Sequence, residues 1–134
     1  MRGPVYCVLV AGWMAWSAPR AAADERETLF ESKIRPVLVG TCFRCHGDSK
    51  TSGELRVDSL KGLLQGGESG PAIVPGKPEV SLLIRAIQRQ ADVSAMPPEK
   101  VNALRPDQVA DFVSWVKGGA VWPAKSAKFT VACC

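Results

Sequence analysis

Two thiols and the only imidazole in the chain fall within five residues, Cys42-Phe43-Arg44-Cys45-His46. Downstream, Gly53, Gly62, Gly66, Gly67, Gly70 and Gly76 interrupt residues 47–78, and only "ELRVDS" alternates enough to suggest a short extended piece. A compact domain rarely contains so long a loop without a reason. At 134 residues the chain has room for one domain and little more, so whatever engages these five residues must also organise the loops.

The first residues read as a leader. "MRGPVYCVLVAGWMAWSAPRAAAD" has Arg2, an apolar run over residues 5–18, and small residues ending at Ala21-Ala22-Ala23. That order predicts a secretory signal peptide over residues 1–23, with the domain at 24–124 and a tail at 125–134. The apolar run falls short of the roughly 20 residues of a spanning helix, so an uncleaved anchor through residues 5–18 is the alternative. The protein is expected to be exported and periplasmic, touching a membrane only through such an anchor. Cleavage would remove Arg2, Arg20, Cys7, Met1 and Met14, leaving 15 basic against 13 acidic residues. So small an excess argues against a nucleic-acid partner.

Three helices are predicted. Leu29, Phe30, Ile34, Val37 and Leu38 share one face of the first, which Pro36 should bend or end and Gly40 should stop. The second begins near Pro78, with Leu82, Leu83, Ala86 and Ile87 as its buried stripe. In the third, Pro106 and Asp107 mark the start, Val109, Phe112, Val113 and Val116 the face, and Gly118-Gly119 the stop. "SAMPPEKVNALRP" is a poor helix former between the last two. The fold class is all-α, with long loops around a central group.

Export brings an oxidising compartment, where neighbouring thiols pair unless something else claims them. A disulfide between Cys42 and Cys45 would close a very short loop and gain little chain entropy. Cys133 and Cys134 lie beyond the last helical pattern and take no role here. A closed zinc site needs four ligands, and the cluster supplies three unless Cys133 or Cys134 joins it. A thioredoxin-like exchange motif would sit within a strand and helix alternation that this sequence lacks. Chance would produce this pattern in about one chain of this length in a thousand. The remaining chemistry is covalent attachment of a c-type haem, with Cys42 and Cys45 bonded to the two vinyl groups and His46 coming immediately after to reach the iron.

Such iron is commonly completed by Met or a second His. His46 has no counterpart in the chain, and after leader removal Met96 is the only methionine. It precedes Pro97 and Pro98, which stiffen the loop and keep Met96 extended. Met96 is the expected sixth ligand, with a lysine or a vacant position as alternatives. "GPAIVPGKP" is not a phosphate loop: five residues separate Gly70 from Gly76, and Pro78 stands where a Ser or Thr would hold magnesium. Trp115 and Trp122 are expected in the core or against the haem.

Over residues 28–123 the chain resembles the planctomycete-type cytochrome c domain, a branch of the class I cytochromes c. The resemblance rests on "IRPVL", "CFRCH", "LRVDS", "GLLQGGESGPAIVPGKPE", "SLLIRAI", "MPP" and "FVSWVKGGA". It implies one covalent haem c, first and last helices packed together, His46 and Met96 as axial ligands, and electron transfer to partner proteins. In that family the domain often leads a longer exported protein, whereas "AKSAKFTVACC" does not look like the usual continuation. The expected function is an electron carrier with no catalytic residue. The alternatives are a haem docking module of a larger exported oxidoreductase, and a haem peroxidase in which Met96 leaves the iron.

Overall fold

The computed structural model describes residues 20–126. The leader reading, Cys7, Cys133, Cys134 and most of the tail lie outside the described residues, save that 20–23 open the first helix. From Arg20 to His46 the chain traces one helical path in five pieces. Helix α1 (Arg20–Leu29) runs into a π-helical turn (Phe30–Ile34), then α2 (Arg35–Val37), a second π-helical turn (Leu38–Cys42) and α3 (Phe43–His46).

Gly40 therefore does not stop this path, which corrects the expectation from sequence, and Pro36 does not end it but follows a distorted turn. Proline lacks an N–H, and its ring crowds the carbonyl four residues back. Here the turn before it is widened, with the Arg35 N–H donating five residues back to the Phe30 carbonyl. The second widened turn closes through the Phe43 N–H and the Leu38 carbonyl. Each such turn inserts one residue into the helical repeat, so the chain beyond it is rotated by roughly 100° relative to an unbroken α-helix.

The apolar face of this path is the floor of the core: Phe30, Ile34 and Leu38 are fully buried and Val37 nearly so. Helix α6 (Pro106–Lys117) packs across it. Phe30 meets Trp115 at 5.9 Å and Trp122 at 4.5 Å between ring centroids, and Phe112 sets its edge against Trp115 at 6.1 Å. The buried residues of α6 are Phe112, Trp115 and Val116. Val109 and Val113 are only partly covered. Both tryptophans belong to this aromatic cluster, and each indole is satisfied, Trp115 Nε1 by the Val121 carbonyl at 2.9 Å and Trp122 Nε1 by the Ser126 carbonyl. Helix α6 stops as expected at Gly118-Gly119, with Gly119 at φ +96°.

Residues 47–78 hold more structure than their glycines suggest. Helix α4 (Leu60–Gln65) starts where the Ser59 hydroxyl accepts from the Gly62 N–H at 3.1 Å, a standard N-cap, and buries Leu63. "ELRVDS" joins no strand; its first residue closes a 3-10 turn (Ser52–Glu54), while Leu55 and Ser59 are extended. The second predicted helix is also shorter. Pro78–Val80 form a separate 3-10 turn, Ser81 is extended, and α5 covers Leu82–Ile87. Its fully inward residues are Ile84 and Ile87, while Leu82, Leu83 and Ala86 are half-buried.

The connecting segment "GPAIVPGKP" joins α4, α5 and α6 through its backbone. Ala72 and Ile73 are buried and donate to the Leu63 carbonyl. The Ala72 carbonyl accepts from Leu83, and Gly76 donates to Val116 at 2.7 Å. Ser81, fully buried, accepts from the Val74 N–H at 2.9 Å and donates to the Lys77 carbonyl at 2.8 Å. Among the described residues no helix is long and apolar enough to cross a membrane.

One tight crossing links this region to the loop after His46. A Cβ on Gly67 would lie 2.1 Å from the Gly53 carbonyl oxygen, a backbone atom that cannot rotate away. Gly67→Ala should therefore destabilise the domain toward the upper end of the range for overpacking, about 3 kcal/mol. Thermal denaturation should show a midpoint lower by roughly 10 °C or more. An unchanged midpoint would show that the crossing can open freely.

Candidate haem-binding site

The five clustered residues straddle the junction of the second π-helical turn and α3. Cys42 closes the turn, and Cys45 and His46 occupy the last positions of α3. Both cysteines are unpaired thiols, half-buried. Burial pushes the Cys42 thiol up to about 12, with the neighbouring Cys45 adding to the effect. An exchange-active cysteine needs the opposite, a stabilised thiolate. Among the described residues no three His, Cys, Asp or Glu side chains converge where they could hold a metal ion, so Cys42, Cys45 and His46 do not form zinc ligands by themselves.

His46 is fixed from two sides. Its ring Nδ1 lies 2.9 Å from the Ser52 carbonyl oxygen. A carbonyl can only accept, so the proton sits on Nδ1 and the Nε2 lone pair is left for a metal. The His46 backbone carbonyl accepts from Val57 at 2.9 Å. Gly47 comes next at the helix end, where a Cβ would fall 2.5 Å from the Phe43 carbonyl oxygen and 2.9 Å from its ring. Glycine allows the chain to turn back beneath Phe43 and bring Ser52 to the imidazole.

The returning loop is closed by charge. Arg56 bonds Asp48 on one side and Asp58 on the other, its Nε reaching Asp58 at 3.2 Å. Asp58 is fully buried. The two carboxylates hold the Arg56 guanidinium even further above neutrality than usual, Asp58 contributing most. Arg56 adjoins Val57, and Asp48 lies two residues beyond His46, so this bridge spans the segment that carries the Ser52 carbonyl.

Met96 sits on a different support. Its backbone N–H donates to the Ala86 carbonyl near the end of α5 at 3.0 Å, and its side chain is half-buried in the loop before Pro97. Cys42, Cys45 and His46 are thus brought together by one helical turn, whereas Met96 is held through α5. No hydrogen bond among the described residues joins Met96 to the His46 turn.

The donors fit a c-type haem: two reduced thiols in one turn, and an imidazole whose free nitrogen is selected by a backbone bond. Several apolar groups pack on the core while remaining partly uncovered, among them Val39, Phe43, Leu55, Leu60, Leu83 and Leu104. The contacts that reading the sequence did not identify are the Ser52 carbonyl, which as backbone leaves no residue signature, and the Asp48–Arg56–Asp58 bridge, hinted at only by the close spacing of opposite charges.

No curated protein and no solved structure matches the chain. A family model described as Planctomycete cytochrome C matches residues 42–100, a little under half of the chain. The match opens on Cys42 and includes Cys45, His46 and Met96; α1 and α6 flank it. Residues 42–100 are accordingly similar to the planctomycete cytochrome c family, within a chain whose described residues form an all-α fold.

Proposed function

We propose that the protein is an exported electron carrier holding one covalent haem c, with Cys42 and Cys45 as the thioether sulfurs and His46 and Met96 as axial ligands. The observation that carries this reading is the bond from His46 Nδ1 to the Ser52 carbonyl, directly after two free thiols. When bound, the haem supplies a one-electron ferrous and ferric couple.

The chain's own residues do the rest. The Ser52 carbonyl keeps the proton on Nδ1 and limits rotation of the imidazole. The Asp48–Arg56–Asp58 bridge keeps the Ser52 segment from drifting away. Ala86 holds the Met96 backbone, and Met96 offers a neutral thioether that favours the reduced state. None of these groups needs to give up or accept a proton during turnover, as suits a carrier whose partners are other redox proteins. Export from a leader ending at Ala23 accords with the cysteine chemistry, because thioether formation removes both thiols from an oxidising compartment.

The test is to express the chain with c-type haem maturation and record spectra before and after acid-acetone extraction. Haem that stays with the protein, together with a far-red sulfur-to-iron charge-transfer band in the ferric form, is the expected result. Colourless protein containing zinc would overturn the reading.

A further inference from the structure

We propose that Arg89 positions the Met96 loop, its guanidinium clamping the carbonyls of Pro97 and Pro98 so that the Met96 thioether is held for the iron. This assignment rests on Met96 being the axial ligand.

The segment Met96-Pro97-Pro98 has only one backbone N–H, because neither proline carries one. That single donor goes to the Ala86 carbonyl at 3.0 Å. The loop therefore has little capacity to fasten itself by its own donors, and its carbonyls require donors from elsewhere. Arg89 supplies them, with Nη1 2.8 Å from the Pro97 carbonyl oxygen and Nη2 3.3 Å from that of Pro98. Both bonds are charge-assisted, and the planar fork sets the two carbonyls relative to each other.

The backbone of Arg89 supports the same assignment. Its N–H shares the Ala86 carbonyl with Met96, each at 3.0 Å, so the foot of the clamp and the ligand loop meet at one acceptor. Arg89 lies just past the end of α5 with φ +59°, the left-handed conformation that glycine usually supplies after a helix. An arginine there works against its backbone preference, and the two contacts to the loop offset that cost. Arg85, the arginine within α5, is engaged instead by Asp92 and by Gln90.

Arg89→Gly separates the clamp from the fold, because glycine suits the φ of this position while removing the guanidinium. The haem-loaded protein and this variant are titrated with imidazole, which competes with Met96 for the iron, and the far-red ferric band is recorded against pH. The variant is expected to bind imidazole about tenfold more tightly and to lose the band about one pH unit lower, the effect of removing a charge-assisted bond. Its global thermal unfolding should stay at or above that of the parent. Arg89→Lys, which keeps the charge but not the fork, should fall between the two. Parent-like imidazole affinity and band in Arg89→Gly would overturn the clamp while leaving Met96 as ligand. Loss of the band in step with a lower unfolding temperature would also overturn it, since Arg89 would then act only on the fold. A parent protein without the band would overturn the Met96 assignment and the clamp with it.

Discussion

Replacing Cys42 and Cys45 together with alanine is expected to yield a colourless chain that does not hold the fold. The described core contains fourteen buried apolar residues, two of them alanines, and α4 and α5 are six residues each. Between residues 47–59 and again between 88–105 there is no helix longer than a 3-10 turn. Ordering such segments costs about 1–2 kcal/mol per residue in backbone entropy. Their own contacts are short-range backbone bonds such as Gly47 to Lys50 and Asn102 to Glu99, with the Asp48–Arg56–Asp58 bridge in the first segment and the Arg89 contacts to Pro97 and Pro98 in the second. Native domains exceed their unfolded states by only about 5–15 kcal/mol. A group that fixes one loop through His46 and the other through Met96 can carry that whole margin, as metals do in small metal-dependent domains. The loss should exceed about 5 kcal/mol, the low end of natural stability. Far-UV circular dichroism and visible absorbance of the double variant, expressed with haem maturation, would show it. Each single variant keeps one sulfur and should retain some coloured protein. A double variant that unfolds cooperatively and keeps native helicity would remove the haem from the requirements of the fold.

The fold was legible in the sequence where several local signals agree, and not where backbone geometry decides. Helix α6 was legible because proline, acid, apolar spacing and paired glycines all agree over twelve residues. The continuous path through Pro36 was not. A proline ordinarily ends a helix, and nothing in "ESKIRPVL" announces that the preceding turn will widen to admit its ring. Helix α4 was hidden because glycines at 62, 66 and 67 resemble a loop, although Ser59 before Leu60 was an available N-cap signal. The segment "SGPAIVPGKPE" pointed to a family without revealing its task. The structure gives it one: backbone bonds made by Ala72, Ile73 and Gly76 tie three helices together. At the site, residue chemistry singled out Cys42, Cys45 and His46 as candidates, which one helical turn brings together, but the partner that sets the imidazole is a carbonyl, and every residue has one.

Met96→Ala is expected to change the iron's chemistry while sparing the framework. The backbone contacts that shape the loop, from the Met96 N–H to Ala86 and from Arg89 to Pro97 and Pro98, do not involve the thioether and should persist. The variant loses a neutral sulfur donor that favours the reduced state. The potential should therefore fall, by on the order of 0.1 V within the roughly 0.8 V range over which axial ligands set haem potentials. The far-red ferric band should vanish, and small exogenous ligands should gain access to the iron. Peroxidase activity should rise with that access, and this separates the carrier from the peroxidase alternative. In a carrier, the thioether blocks a reactive position, so its removal opens chemistry that the parent lacks. In a native peroxidase the position would already be open, and the variant would resemble its parent in spectrum and activity. His46 is the only histidine in the chain, so the variant has no second imidazole to occupy the iron and conceal the result.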